Sequence, residues 1–386
     1  MRLFSASAES KRRSSSEKIR LYGNSACVDL YCFCNITACR YRVYLLFYYE
    51  VVLSNHYDSC VLCPRACGVN RNAGEIGFCG ETSVLRIGAA VIHKGEEPPL
   101  VGTGGSGTIF ISGCNLGCVF CQNYQISHHA AVFPAREEQN NDQITNGKKQ
   151  LTMSLGKAVS GEDFARICTA LRDMGAENIN IVTGSHAVPA VIKGLAAMRK
   201  AGVQLPVLWN SSGYETSETL ELLKDHVDIY LPDLKTLDAG IAEKFFNAPD
   251  YPAIAKTAVL KMIDNVNERA AQRTADRIII RHLILPGYLE STRRVLRWFA
   301  DNAKGIALLS LMTQYTPIPN RGLTLTAPQR YLSQEEYDTV MGWLEEFEIE
   351  DGFCQELVTG SDWLPDFRRA NPFPSKLSVP VWNLYQ

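Results

Sequence analysis

The chain has 386 residues, 46% of them hydrophobic, enough to bury one large core or two ordinary ones. Lysine and arginine number 39 against 41 aspartates and glutamates, so no overall field draws nucleic acid or an anionic membrane, and neither is expected as a partner. The most apolar early run, Val43 to Leu53, is interrupted by Glu50 and is too short to span a bilayer.

Residues 1–55 differ from the rest. Met1 to Arg20 is basic and rich in serine, weakly like an organelle transit segment, although Glu9 and Glu17 count against that reading. Beyond it, Cys27, Cys32, Cys34 and Cys39 lie among aromatics with neither a helical nor a strand period. The segment is expected to be an atypical, disordered or targeting extension. No clean secretory cleavage site is evident, so the 13 cysteines read as reduced thiols in the cytoplasm, or in an organelle matrix should the extension be an address.

Residues 56–100 read as a Cys-rich metal-binding segment. Cys60, Cys63, Cys67 and Cys79 fall at C-x2-C-x3-C-x11-C, a complete tetrahedral set among turn-permitting glycines. Three readings stay open: structural zinc, an auxiliary iron–sulfur cluster, and unmetallated thiols packing as small hydrophobes.

The strand-like GSGTIFISG then leads into Cys114, Cys118 and Cys121, spaced C-x3-C-x2-C. Three thiolates leave one corner of a four-iron cube unligated, and that vacancy suits a small molecule. Residues 134–153 are polar and expected to be a loop insertion.

From Val159 to Leu311 apolar strands alternate with amphipathic helices. Expected strands are Asn178–Thr183, Pro206–Asn210, Val227–Lys235, Arg277–Pro286 and Ile306–Tyr315. Expected helices start at Ser160, through Pro189, at Thr216 or Ser217, and across STRRVLRWFADN. Strands this apolar are buried on both faces and therefore parallel, so 101–330 reads as α/β, a partial (β/α)6 TIM-like barrel carrying a Cys-rich N-terminal extension. Polar residues at strand C-terminal ends face the ligand of such a barrel: Thr183 with Ser185 and His186, Asn210 with Ser212, Asp233 with Lys235, His282, and Gln314 with Tyr315. Of these, Asn210 and Ser212 suit ribose hydroxyls, whereas His186 and His282 read as ordinary rim histidines. Residues 331–386 are expected to form a helical segment packed on the barrel, with Ser333 and Glu336 closing a capping box. Cys168 and Cys354 sit in amphipathic patterns as core.

The C-x3-C-x2-C triad with Phe120 before its last cysteine resembles the radical S-adenosylmethionine (SAM) superfamily. Blocks from Ile92 to Ser127, NINIVTGSH, WNSSGYE, VDIYLPDLK, RHLILPG and LMTQYTP resemble the pyruvate formate-lyase activating-enzyme-like branch, over about residues 57–370. The resemblance implies a [4Fe–4S] cluster on Cys114, Cys118 and Cys121. Its open iron would be chelated by SAM, whose reductive cleavage yields a 5′-deoxyadenosyl radical that abstracts hydrogen from a substrate. A glycyl-radical-type protein partner, or another protein or peptide, is the substrate class implied, and a small flavodoxin- or ferredoxin-like protein the reductant. Phe120 would contact the adenine, and Asp233 and Lys235 match a cofactor-contacting Asp-x-Lys. The family's Gly-Gly-Glu is absent; Thr183 to His186 stand in its place, so Thr183 and Ser185 are the candidates for the methionine amino group. Two other readings compete, a zinc-binding interaction protein with both cysteine sets structural, and a family member that binds SAM without turnover.

Overall fold

The computed structural model describes residues 2–4, 53–127, 155–269, 277–318 and 327–385. Nearly all of the 1–55 extension, with Cys27, Cys32, Cys34 and Cys39, and the whole of the 134–153 insertion lie outside the described residues.

In chain order the principal elements are β1 (Arg2–Phe4), β2 (Arg86–His93), β3 (Ser106–Ile111), β4 (Lys157–Ala158), α1 (Gly161–Asp173), β5 (Ile179–Val182), α2 (Val188–Lys200), β6 (Val207–Ser211) and α3 (Ser217–Leu223). They continue with β7 (Ile229–Pro232), α4 (Ala239–Phe246), α5 (Tyr251–Arg269), β8 (Ile279–Leu283), α6 (Leu289–Asn302), β9 (Leu308–Met312), α7 (Gln334–Glu346), β10 (Gly352–Cys354) and β11 (Ser378–Asn383).

Strands β3, β5, β6 and β7 pair in parallel. Parallel bridges Tyr230–Ile278 and Asp233–Arg281 carry the arc to β8, which pairs in parallel with β9. The result is six parallel strands in a partial (β/α)6 barrel, buried on both faces as helix-covered strands must be. The flanks are finished differently: β2 runs antiparallel to β3 with β11 antiparallel outside it, while β10 lies parallel on β9 with β1 antiparallel beyond. The 331–386 segment therefore supplies two flanking strands, β10 inside the β1 edge and β11 at the opposite edge, as well as helix α7.

Local chemistry sets the helix starts. Ser160 Oγ accepts from the Asp163 amide at 3.1 Å and the Asp163 carboxylate accepts from the Ser160 amide at 2.9 Å, while Phe164, Ile167, Cys168 and Leu171 bury the inner face of α1. Thr216 caps α3, Pro189 opens α2, and Ser333 with Glu336 closes the box on α7. Helix α7 docks on α6, with Arg293 bonded to Glu346 at 3.0 Å and Arg297 stacked 4.2 Å from the Phe347 ring. Helices α4 and α5 are absent from the sequence reading. The buried stripe of α5, Tyr251, Ala255, Ala258, Val259, Met262 and Val266, has the helical period, with alanines at two of its positions. Among the described residues no helix is long and apolar enough to cross a membrane.

Candidate functional site

The strand ends of the barrel enclose a cavity whose lining includes Cys114, Cys118 and Cys121. The loop that brings them there begins at Gly113, at φ +83, where a Cβ would lie 2.5 Å from Glu81 and 2.8 Å from the Cys79 carbonyl. Leu116 N–H donates to Cys114 Sγ at 3.3 Å, and Ser127 Oγ lies 3.2 Å from Cys121 Sγ. Burial pushes all three thiols up. For Cys114 the neighbouring Cys118 and Cys121 add to it, for Cys118 Lys235 opposes a rise to about 12, and for Cys121 the Ser127 bond opposes it. Three such thiols on one wall ionise readily only with a positive partner among them.

Thr183, Asn210, Ser212, Asp233, Lys235 and Gln314 also line the cavity. Lys235 Nζ meets Asp233 Oδ2 at 2.5 Å; burial works to lower the lysine, but Asp233, Cys118 and Tyr251 outweigh it and hold the ammonium charged. Ser212 Oγ is buried with no hydrogen-bond partner among the described residues. Phe120 lines the cavity with what its ring leaves free. Most of it packs edge-on against Phe245 and Phe246, each 5.8 Å away.

Four expected residues sit elsewhere. Thr183 adopts φ +64, a left-handed turn unusual for a β-branched residue, and a Cβ on the following Gly184 would lie 2.5 Å from Trp209. The chain thus swings behind the strand tip, and Ser185 Oγ bonds the buried Glu215 at 2.5 Å rather than facing the cavity. His186 is buried, its Nε2 2.8 Å from the Ser112 carbonyl; burial, helped by Arg71, lowers it to about 3. His282 points outward, held by the Leu234 carbonyl at 2.7 Å and Thr292 Oγ1 at 2.9 Å, and burial lowers it to about 4. Tyr315 donates to the Pro328 carbonyl at 2.7 Å. In β8 it is Arg281 that lines the cavity, one residue out of phase with His282, because strand side chains alternate.

The sequence reading passed over His93, Glu96, Glu97 and Arg281 at the far end of the cavity, with Trp363 and Phe373 from the C-terminal segment. Arg281 Nε donates to Glu97 Oε1 at 2.9 Å and its Nη2 bonds both Glu97 and Glu96. A local EE pair after a strand gives no sequence sign of its partner 184 residues away.

The upstream thiols are brought together beside the barrel. Cys67 and Cys79 sulfurs lie 3.3 and 3.4 Å from where a Gly77 Cβ would stand, and burial, opposed by the Arg65 amide and reinforced by Cys79, Cys60 and Cys67, raises Cys63 to about 12. Arg71 is buried among them, its Nη1 3.7 Å from Cys60 Sγ and its guanidinium 4.5 Å over the Tyr57 ring. Among the described residues no three His, Cys, Asp or Glu donors already converge on a single ion. A four-iron cube spreads its sulfur ligands over separate corners and does not need such convergence, whereas a single zinc at the upstream set needs its thiols to rotate inward.

Residues 108–299 match the model of the Radical SAM superfamily. The chain carries a radical SAM domain. An uncharacterized protein of Methanocaldococcus jannaschii is 29% identical over 300 residues, 78% of each chain. The chain is also similar to the crystal structures of Streptococcus suis SuiB, alone (12% identity, TM-score 0.39, 63% of this chain and 47% of that one) and bound to S-adenosylmethionine (13%, 0.38, 63% and 45%). It spans about half the length of those structures. A radical SAM domain implies a [4Fe–4S] cluster and SAM, and the residues fit both. Three thiols stand on one wall, an amide and a hydroxyl reach their sulfurs, and an unpartnered Ser212 hydroxyl and Asn210 line the same space.

Proposed function

We propose that this chain is a radical SAM enzyme that removes a hydrogen atom from its substrate. The observation supporting it most directly is the meeting of Cys114, Cys118 and Cys121 with Lys235 on the wall of one barrel cavity, within the matched domain. When bound, the cluster and SAM supply a one-electron reductive cleavage of the sulfonium that ends in a 5′-deoxyadenosyl radical. The protein holds the reactants. Cys114, Cys118 and Cys121 ligate iron as thiolates, with the Leu116 amide and Ser127 hydroxyl bonding to sulfur. Lys235, fixed by Asp233, keeps a positive charge beside Cys118. Asn210 and Ser212 offer an amide and a free hydroxyl to ribose oxygens, and Phe120 offers a ring edge to adenine. Thr183, at the tip of β5, is the candidate for the methionine amino group.

The upstream thiols we read as a closed structural metal site. Four thiolates around a divalent ion carry a net negative charge, which the buried Arg71 beside Cys60 offsets. The reductant is proposed to be a small flavodoxin- or ferredoxin-like protein, and the activating-enzyme resemblance makes a glycine of a protein partner one substrate class. Anaerobic trapping on the full chain separates a protein partner from a small substrate.

The test is anaerobic reconstitution of the full chain with iron and sulfide, followed by dithionite and SAM. A brown protein that releases methionine and 5′-deoxyadenosine, with release abolished in Cys118→Ala, is expected. A colourless zinc protein, or equal background from both chains, overturns the reading.

A further inference from the structure

The cavity has two chemically different ends. The cysteines follow the end of β3, whereas Glu96 and Glu97 leave β2 beyond His93, which pairs with Ser106 at the start of β3. At that far end the charges do not balance, because two carboxylates share the one guanidinium of Arg281, while Asp233 and Lys235 cancel each other. Glu97 spends both oxygens on Arg281 and is 2% exposed. Glu96 takes one bond at each oxygen, from Arg281 and from Asn180 Nδ2 at 3.1 Å, and so keeps spare lone pairs. Asn180 is fully buried and its Oδ1 has no hydrogen-bond partner among the described residues. Glu96 can therefore accept a further donor, while Nε and Nη2 of Arg281 are already engaged by the two carboxylates.

The rest of the wall is aromatic. Phe110, Phe373 and Trp363 line the same end, with Trp363 packed on Gly95 and His93 edge-on to Phe373 at 5.0 Å between centroids. A surface groove containing Lys94 and Glu356 shares Gly95, Glu96, Gln355 and Trp363 with the cavity, so the two adjoin at this end. Two carboxylates with one guanidinium between them, beside aromatic rings, match an ammonium group on an apolar stem.

We propose that the Glu96 end of the cavity recognises the substrate, and that the substrate is a small organic amine bound as its ammonium form. This rests on the cavity being the reaction chamber of the proposed enzyme. Glu96, steadied from behind by Arg281 and Asn180, receives the ammonium, and Trp363 and Phe373 take the stem.

The experiment titrates three probes of similar shape, 2-phenylethylammonium, 2-phenylethanol and 3-phenylpropanoate, into the reconstituted full chain with saturating SAM, read by calorimetry. The ammonium is expected to bind about tenfold tighter than the alcohol, with the carboxylate weakest, and Glu96→Gln to erase most of that preference. Trp363→Ala is expected to weaken the ammonium and the alcohol alike. No binding, equal binding of the three probes, tighter binding of the carboxylate, or an unchanged preference in Glu96→Gln overturns the proposal. Should Glu96→Gln not fold, the wild-type ranking decides alone. Deoxyadenosine release without amine, measured on the same preparation, reports on the reaction separately: its failure counts against the enzyme reading, while the probe ranking is still read.

Discussion

Replacing Arg281 by methionine keeps an unbranched, though shorter, stem and strands Glu96 and Glu97 without their guanidinium. The two carboxylates are 11% and 2% exposed, so the change leaves charge facing charge in a site water barely reaches. Breaking a buried pair from one side costs about 3–5 kcal/mol, and because Asn180 still donates to Glu96 the lower end, ~3 kcal/mol, is expected. The loss depends on pH in a fixed sense. In the wild type, burial pushes Glu96 up but Arg281, with His93, outweighs it and holds the carboxyl below its ordinary range. That stability is therefore present above the unfolded value of about 4.3 and is lost as pH falls past it. In the variant burial is opposed only by His93 and the Asn180 bond, the folded-state affinity for protons rises above the unfolded one, and the deficit grows with pH. Urea unfolding of the full chain at pH 7.5 and 5.5 should show the variant recovering about 1 kcal/mol or more at the lower pH, relative to wild type. Equal deficits at both pH values, or a deficit under about 1 kcal/mol, would refute the assigned network.

Gly113→Ala puts a methyl into the Cys79 carbonyl at a positive φ, and reconstituted iron at the triad should fall while helix content by circular dichroism holds. Glu336 is held down to about 2, first by Arg330 and, against burial, by the Ser333 and Gly287 amides. Glu336→Gln should accordingly destabilise the chain at pH 7 by about 1 kcal/mol, and its difference from wild type in urea midpoint should narrow as pH falls from 5 toward 2. In Cys63→Ser, metal analysis should show the upstream metal lost with the triad iron retained; joint loss of both would argue that the two sets form one site.

Much of the barrel can be read from the sequence because parallel strands covered by helices must be apolar on both faces, and NINIVT or VLWN has no other use. Helix starts were legible for a similar reason: a serine or threonine oxygen satisfies particular amides, so Ser160, Thr216 and Ser333 announce themselves. Alternation defeated the reading at β8, where Arg281 and His282 are both polar and only packing says which turns inward. At Thr183 the reading erred by assuming the strand direction continues, when the left-handed turn sends Ser185 to Glu215. The acid–arginine end was invisible because its members come from residues 96 to 281, joined by tertiary contact alone. Trp363 and Phe373 lie beyond the last barrel strand and carry no motif.

Both flanks of the open barrel are sealed by one late stretch, β10 and β11, which lies between Gly352 and Asn383. On a ribosome, the iron-binding loop and all six staves are made well before either seam can be sewn. Until then β9 and β2 offer bare backbone to any extended peptide nearby. A truncation before Gly352 should accordingly leave the thiols intact and yet produce a sticky protein.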